Sequence, residues 1–315
     1  MKKIRVKFMD YYTFYTGISH TDNAGKVEVP EDAPMTSIAS LEFYTADFII
    51  TDNNNITRVS QSLGSLDYLA DLPYIMNGLM PITTIELGYD FKRQVYQAAW
   101  YYYYGHNDLL DNIDKMQLDT PFRIATYADS TSLTYNGVDG IAWFFGTQTN
   151  PHVEIANYEP IDVDYRSSCL FCAVLHELGH ASHYMEMGYN SYSLVHNRIK
   201  ESFASFMGWY NARNYYSSIV STDFDVNVIT KQGRQQWDGS SSNNYTPIFI
   251  DLVDDYNQSL SDPSLVIDNI SGVGVGDVLS FAIGPHVWFE SAGLMLLKVG
   301  NLYSLSDFSN LISKY

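Results

Sequence analysis

Cysteine is almost missing from this 315-residue chain. Cys169 and Cys172 are the only two, too few for a disulfide framework. Basic residues are scarce as well: 18 Lys and Arg stand against 36 Asp and Glu, leaving a formal charge of −18. A surface of that sign repels phosphate backbones and anionic headgroups, which argues against nucleic-acid and membrane-surface partners. No uninterrupted run of about 18 apolar residues occurs, so no membrane-spanning segment is expected. The opening Met1-Lys-Lys-Ile-Arg-Val-Lys7 is basic like the start of an export signal, yet the apolar stretch that completes one does not follow.

Apolar and aromatic residues are what the chain has in quantity. A hydrophobic fraction of 46% with 26 tyrosines suffices for a sizeable core and excludes a disordered chain. The length suits one large domain or two modest ones. High tyrosine, low lysine and acidity together lean towards a bacterial protein that is secreted, periplasmic or held at the cell surface, with its export signal removed. We expect a monomer.

Residues 4–56 read as β structure. Ile4-Arg-Val-Lys-Phe8 and Gly25-Lys-Val-Glu-Val29 alternate in polarity, and His20 to Gly25 has turn chemistry. A further apolar stretch, Leu41 to Ile50, leads to the polar loop Thr51 to Asn55. Thr21-Asp22 followed by Gly25-Lys-Val-Glu-Val29 resembles the small β-sandwich modules that precede exported bacterial enzymes, which implies such a module at residues 1–57 with 58–315 as the main domain. From Asp90, a plausible N-cap, the pattern turns helical through Ala99 and closes near Gly105. That helix carries Tyr101 to Tyr104; four consecutive helical residues point four ways, which favours packing over a sugar-binding platform. Strand-like segments follow at Pro121–Tyr127, Gly140–Phe145 and His152–Ala156, and helices beyond them. Strands first and helices after make the expected fold class α+β.

The chemistry is concentrated at His176-Glu177-Leu178-Gly179-His180. Histidines four apart on a helix lie about 40° apart around its axis, so both imidazoles reach one point. Glu177, about 100° round from His176, can address a water at that point without being a ligand. This is the H-E-x-x-H arrangement of two zinc ligands and a general base. Chance placement of 8 His and 10 Glu would give roughly 0.006 such matches in a chain of this length. Ser167 or Ser168 can cap the helix, Cys169 to Met187 suits it, and Gly188 can end it.

A catalytic Zn2+ needs a third protein ligand. Glu201, beyond an expected loop at 188–193, could return on an antiparallel helix. Glu186, His183 and His196 are alternatives. His183 lies one turn past His180, where a straight helix does not bring it to the same metal, so a cleft-lining or supporting place suits it better. Ser205, four residues after Glu201, and Asp251 and Asp255 could support a ligand histidine. Cys169 and Cys172 read as packed thiols, since no second pair of metal ligands is near.

His176-Glu-Leu-Gly-His180 followed by Glu201-Ser-Phe-Ala-Ser-Phe-Met207 resembles the gluzincin zinc metallopeptidases, the second segment being similar to the glutamate helix of M1-type aminopeptidases. The resemblance implies a zincin-like domain in which His176, His180 and Glu201 hold zinc and Glu177 is the base. It also implies that Gly140-Ile-Ala-Trp-Phe-Phe-Gly146 is an edge strand above the metal that pairs with an extended peptide. Lys200 departs from the usual asparagine, and no glycine–acidic exopeptidase signature precedes the helix, so metalloendopeptidase action on a peptide or protein substrate is the expected activity. In the family an oxyanion donor comes from a later helix. His286 is the first candidate here, with Tyr245 and Tyr256 as alternatives. Two other readings fit the same residues: a zinc hydrolase or amidase acting on non-peptide substrates, and a cell-surface binding protein with a vestigial zinc site.

Overall fold

The computed structural model describes residues 5–10, 12–21, 27–34, 37–43, 45–52, 60–65, 74–77, 80–83, 91–105, 121–128, 130–136, 138–157, 166–195, 197–217, 247–254 and 272–282. The class is α+β. Strands β1 (Arg5–Asp10), β2 (Tyr15–His20), β3 (Ile38–Glu42), β4 (Phe48–Asp52), β5 (Ser60–Ser65), β6 (Tyr74–Asn77) and β7 (Met80–Thr83) precede helix α1 (Phe91–Tyr104). Strands β8 (Phe122–Tyr127), β9 (Leu133–Tyr135), β10 (Val138–Gly140), β11 (Ala142–Phe145) and β12 (His152–Ala156) come next. Helices α2 (Arg166–Leu194), α3 (Asn197–Ser217), α4 (Ile248–Asp251) and α5 (Val275–Ala282) follow. Among the described residues no helix is long and apolar enough to cross a membrane. Two compact units form, Met1–Gln97 with Gln117–Asp129, and Ala98–Met116 with Ser130–Tyr315.

In the first unit, β1 pairs antiparallel with β2 and β3, and β3 with β5. The alternation read in β1 is real: Val6 and Phe8 are buried and stand opposite Leu41 and Ala39 of β3. Its partner differs from the expectation. Residues 27–29, expected as a strand, are irregular, and β2 takes the neighbouring place. Every second residue of β2 is exposed and the rest are only half-buried, so it carries no apolar period to read. Most of the expected turn at 20–25 and of the polar loop at 51–55 lies outside the described residues. Leu41 to Ile50 holds parts of two strands, because the Asp47 and Phe48 amides donate to Thr45 Oγ1 and turn the chain between β3 and β4.

Strand β4 then pairs in parallel with β8, setting Phe48 beside Phe122 and Ile50 beside Ile124. Burial of side chains of this size contributes about 2 kcal/mol each. Tyr96 of α1 completes this core, 5.7 Å from the ring of Phe43 and 5.4 Å from that of Phe48. The first unit thus extends past residue 57 and takes in β8.

In the second unit the tyrosine run packs, as four directions on a helix require. Tyr102 and Tyr103 are buried, Tyr101 contacts Phe171 and Tyr215, and the Tyr102 and Ser182 hydroxyls share a hydrogen bond. Residues 170–184 of α2 are buried on almost every side, His176 being the half-open position. Such a helix needs neighbours all round, and α3 lies antiparallel along it. Cys172 faces Gly208, His176 faces Ser205, and Gly179 faces Ala204 and Met207. A Cβ on Gly208 would come within 2.7 Å of the Cys172 carbonyl oxygen, and one on Gly179 within 2.9 Å of Met207 Cβ. These two glycines let the backbones come close enough for short side chains to meet. Cys169 and Cys172 are not joined in a disulfide, and the latter is buried at this contact.

The α2–α3 contact predicts opposite outcomes for two glycine substitutions. Gly208→Ala should lower stability by about 1–3 kcal/mol through overpacking, whereas Gly276→Ala, with open space around its Cβ in α5, should gain up to about 1 kcal/mol from helix propensity. Thermal melts of both variants beside the wild type check this. A Gly208→Ala protein as stable as the wild type would contradict the close contact.

Candidate metal centre

Local helix geometry sets the first two donors. One turn of α2 separates His176 from His180, and their rings lie 4.9 Å apart, nearly perpendicular. The third donor crosses from α3, where Glu201 Oε2 is 3.3 Å from His176 Nε2 and Glu201 Oε1 is 3.5 Å from His180 Nε2. One donor atom from each residue lies within 4.8 Å of the others. A tetrahedral zinc ion with ligands at about 2.0–2.1 Å spaces them about 3.3 Å apart. The donor set of two imidazole nitrogens and a carboxylate oxygen is of the kind zinc takes, and the three groups could hold a metal ion.

The opposite ring nitrogens face hydroxyls. Ser205 Oγ lies 3.3 Å from His176 Nδ1 and Tyr192 Oη 3.1 Å from His180 Nδ1. Each contact leaves Nε2 facing the cluster, as a ligand imidazole requires. Glu177 is buried, with Oε1 3.9 Å from His176 Nε2, so its carboxylate borders the point where the donors converge. The Glu201 side chain is 40% exposed against 8% for His180, which opens the centre to solvent on the α3 side.

The electrostatics follow from this packing. Burial opposes a charged His180, but the hydrogen bond and charge of Glu201 outweigh it and raise its pKa above 6.5. Burial likewise opposes the charge on Glu201, and the hydrogen bonds and charges of His176 and His180 hold it far below the ordinary 4.5. Burial, helped by Glu201 and Glu177, pushes the Tyr192 phenol well above its usual range, so it stays protonated. His183 is fully buried, and burial, with the charges of His180 and Lys200, pushes it down to about 3. It is a neutral packing ring against Tyr192 and Phe203 rather than a cleft-lining group, and it stands outside the donor cluster.

The other expected positions fall out as follows. Glu186 is exposed and outside the cluster. Asp251 is buried in α4, and the hydroxyl of Ser205 meets His176. His196, Asp255, Tyr245, Tyr256 and His286 lie outside the described residues. Gly188 does end the first helical stretch, at φ 72° and ψ 160°, but a second helical stretch follows directly to Leu194, where a loop was expected. Sequence reasoning missed Tyr192 for that reason, since it fell within that loop.

No protein-family model, curated protein or solved structure matches this chain. The site alone carries the functional argument.

Strand β11 lies beside the centre. Phe144 is parallel to the His180 ring at a centroid distance of 6.4 Å, and Tyr184 Oη donates to the Thr147 carbonyl just beyond the strand. β11 pairs antiparallel with β12 and, among the described residues, stands at the edge of its sheet. The Ala156 amide bonds the Ile141 carbonyl, so in this register the backbone groups of Ala142 and Phe144 point away from β12.

The His180–Glu201 pair fixes a pH dependence for the metal-free protein. A raised histidine pKa stabilises the fold below 6.5, and this contribution is lost as pH rises through the folded value. The lowered Glu201 value adds stability above 4.5 that is lost only in strong acid. With chelator present, melting temperature should therefore fall as pH is raised above 6.5, and Glu201→Gln should flatten that slope. An unchanged slope in the variant would contradict the pairing.

Proposed function

We propose that this chain is a zinc-dependent metalloendopeptidase with a zincin-like catalytic domain. The observation that carries the reading is the meeting of His176, His180 and Glu201 with the Glu177 carboxylate beside them and an edge strand alongside. His176 and His180 would hold the ion through the Nε2 atoms that face the cluster, and Glu201 through its carboxylate. The zinc they would hold is a Lewis acid that makes water acidic near neutral pH and polarises a peptide carbonyl. The Glu177 carboxylate, buried beside the donors, is placed to act as the general base and then the acid: it would accept a proton from the attacking water and pass it to the amine nitrogen released when the peptide C–N bond breaks, a role worth roughly 10²–10⁴-fold. Its burial strengthens this exchange by keeping competing water away.

Substrate is oriented by β11. An extended peptide pairs with the outward backbone groups of Ala142 and Phe144 by strand addition, which recognises main chain and so admits many sequences. The Phe144 ring beside His180 ties that strand to the metal ligands. A chain entering along an open edge need not present its terminus, which supports cleavage within the chain.

Glu177→Gln separates chemistry from metal binding. On a casein or mixed-peptide substrate the variant should lose at least about 10²-fold in kcat while keeping wild-type zinc content and melting temperature. Undiminished hydrolysis by this variant would remove Glu177 from the mechanism.

A further inference from the structure

The reach of Tyr192 to His180 is out of keeping with their separation in sequence. Twelve residues of straight helix rise about 18 Å, far more than the two side chains span. Yet Tyr192 Oη lies 3.1 Å from His180 Nδ1. The backbone turns back at Gly188, whose φ of 72° and ψ of 160° belong to a region open essentially to glycine alone. No heavy atom lies within 4 Å of where a Cβ would stand there, so backbone conformation rather than crowding is what calls for glycine.

The returning ring is then held on several sides. Lys200 Nζ is 4.6 Å from its centroid, and His183, Tyr184 and Phe144 meet it edge-on at 5.3, 5.6 and 6.3 Å. These contacts come from β11, from α2 before the break, and from α3 at the residue next to Glu201. A tyrosine packed merely to fill space would need no hydroxyl at His180. This one presents its hydroxyl to the one nitrogen that decides which way the ligand ring faces.

We propose that Tyr192 is a positioning residue of the metal site, its phenol oxygen accepting the Nδ1–H of His180 so that Nε2 is left for the ion, with the Gly188 break delivering it. The assignment rests on the metal-site reading above. It means that the binding strength of the centre depends on a segment sixteen residues past His176 and outside the H-E-x-x-H motif. An outer partner of a ligand histidine typically alters metal affinity by about 10–100-fold.

The test is zinc affinity, measured by chelator competition on wild type, Tyr192→Phe, Gly188→Ala and the double variant. The histidine Nδ1–H signal of the zinc-loaded proteins is followed by NMR on 15N-histidine-labelled samples. Tyr192→Phe keeps the ring and removes only the oxygen, so the metal-free protein should keep its helical circular dichroism. We expect zinc affinity to fall about 10–100-fold in each single variant, with the double variant no weaker than the weaker single one. The exchange-protected Nδ1–H of His180 should be lost in both. Wild-type affinity in Tyr192→Phe, or an unchanged Nδ1–H signal, would overturn the role of Tyr192 and leave the metal site standing. Failure of the wild type itself to bind zinc would overturn both.

Discussion

The Cys172 carbonyl oxygen lies where a Cβ on Gly208 would come within 2.7 Å, and the centre depends on that closeness. Glutamate is short, and its carboxylate must touch two imidazoles rooted on another helix. A bulkier residue at 179 or 208 would press the helices apart and draw Glu201 away from the rings. The stripe Glu201, Ala204, Ser205 and Gly208 on α3 meets Cys172, His176, Gly179 and His180 on α2. Packing small residues between two antiparallel helices is therefore also what builds a three-donor cluster. Core and site here are one interface.

The same closeness sets the charge balance. Acid groups outnumber bases in the chain as a whole, and the centre has two of them, Glu201 bridging the two histidines and Glu177 beside them. Without metal, His180 and Glu201 favour a protonated ring beside an ionised carboxylate, each stabilising the other's charge. A metal bound here would have to displace that proton, so its affinity would weaken as pH falls. The hydroxyls of Ser205 and Tyr192 orient the rings without adding negative charge behind them.

How much could be read beforehand follows from the range of each interaction. The α2 donors and Glu177 are legible because 3.6-residue periodicity alone places them. Ser205 is legible from its spacing after Glu201. The helix of Tyr101–Tyr104 and the strands at 122–127 and 152–156 carry their own local patterns. Pairing is not local, so the parallel match of β4 with β8 leaves no mark in either segment. Edge strand β2 lacks a buried face and so lacks a period. Tyr192 was hidden by Gly188. Glycine does signal a departure from helical geometry, and it does so correctly here, but it does not say that the helix resumes and folds its tyrosine back.

The central claim is that two residues of one helix and a third from its neighbour hold a single ion. Elemental analysis of the chain dialysed against zinc, with Glu201→Ala treated in parallel, addresses it most directly. The wild type should hold one zinc per chain and the variant far less. A wild type without metal, or a variant that keeps its full share, would contradict it.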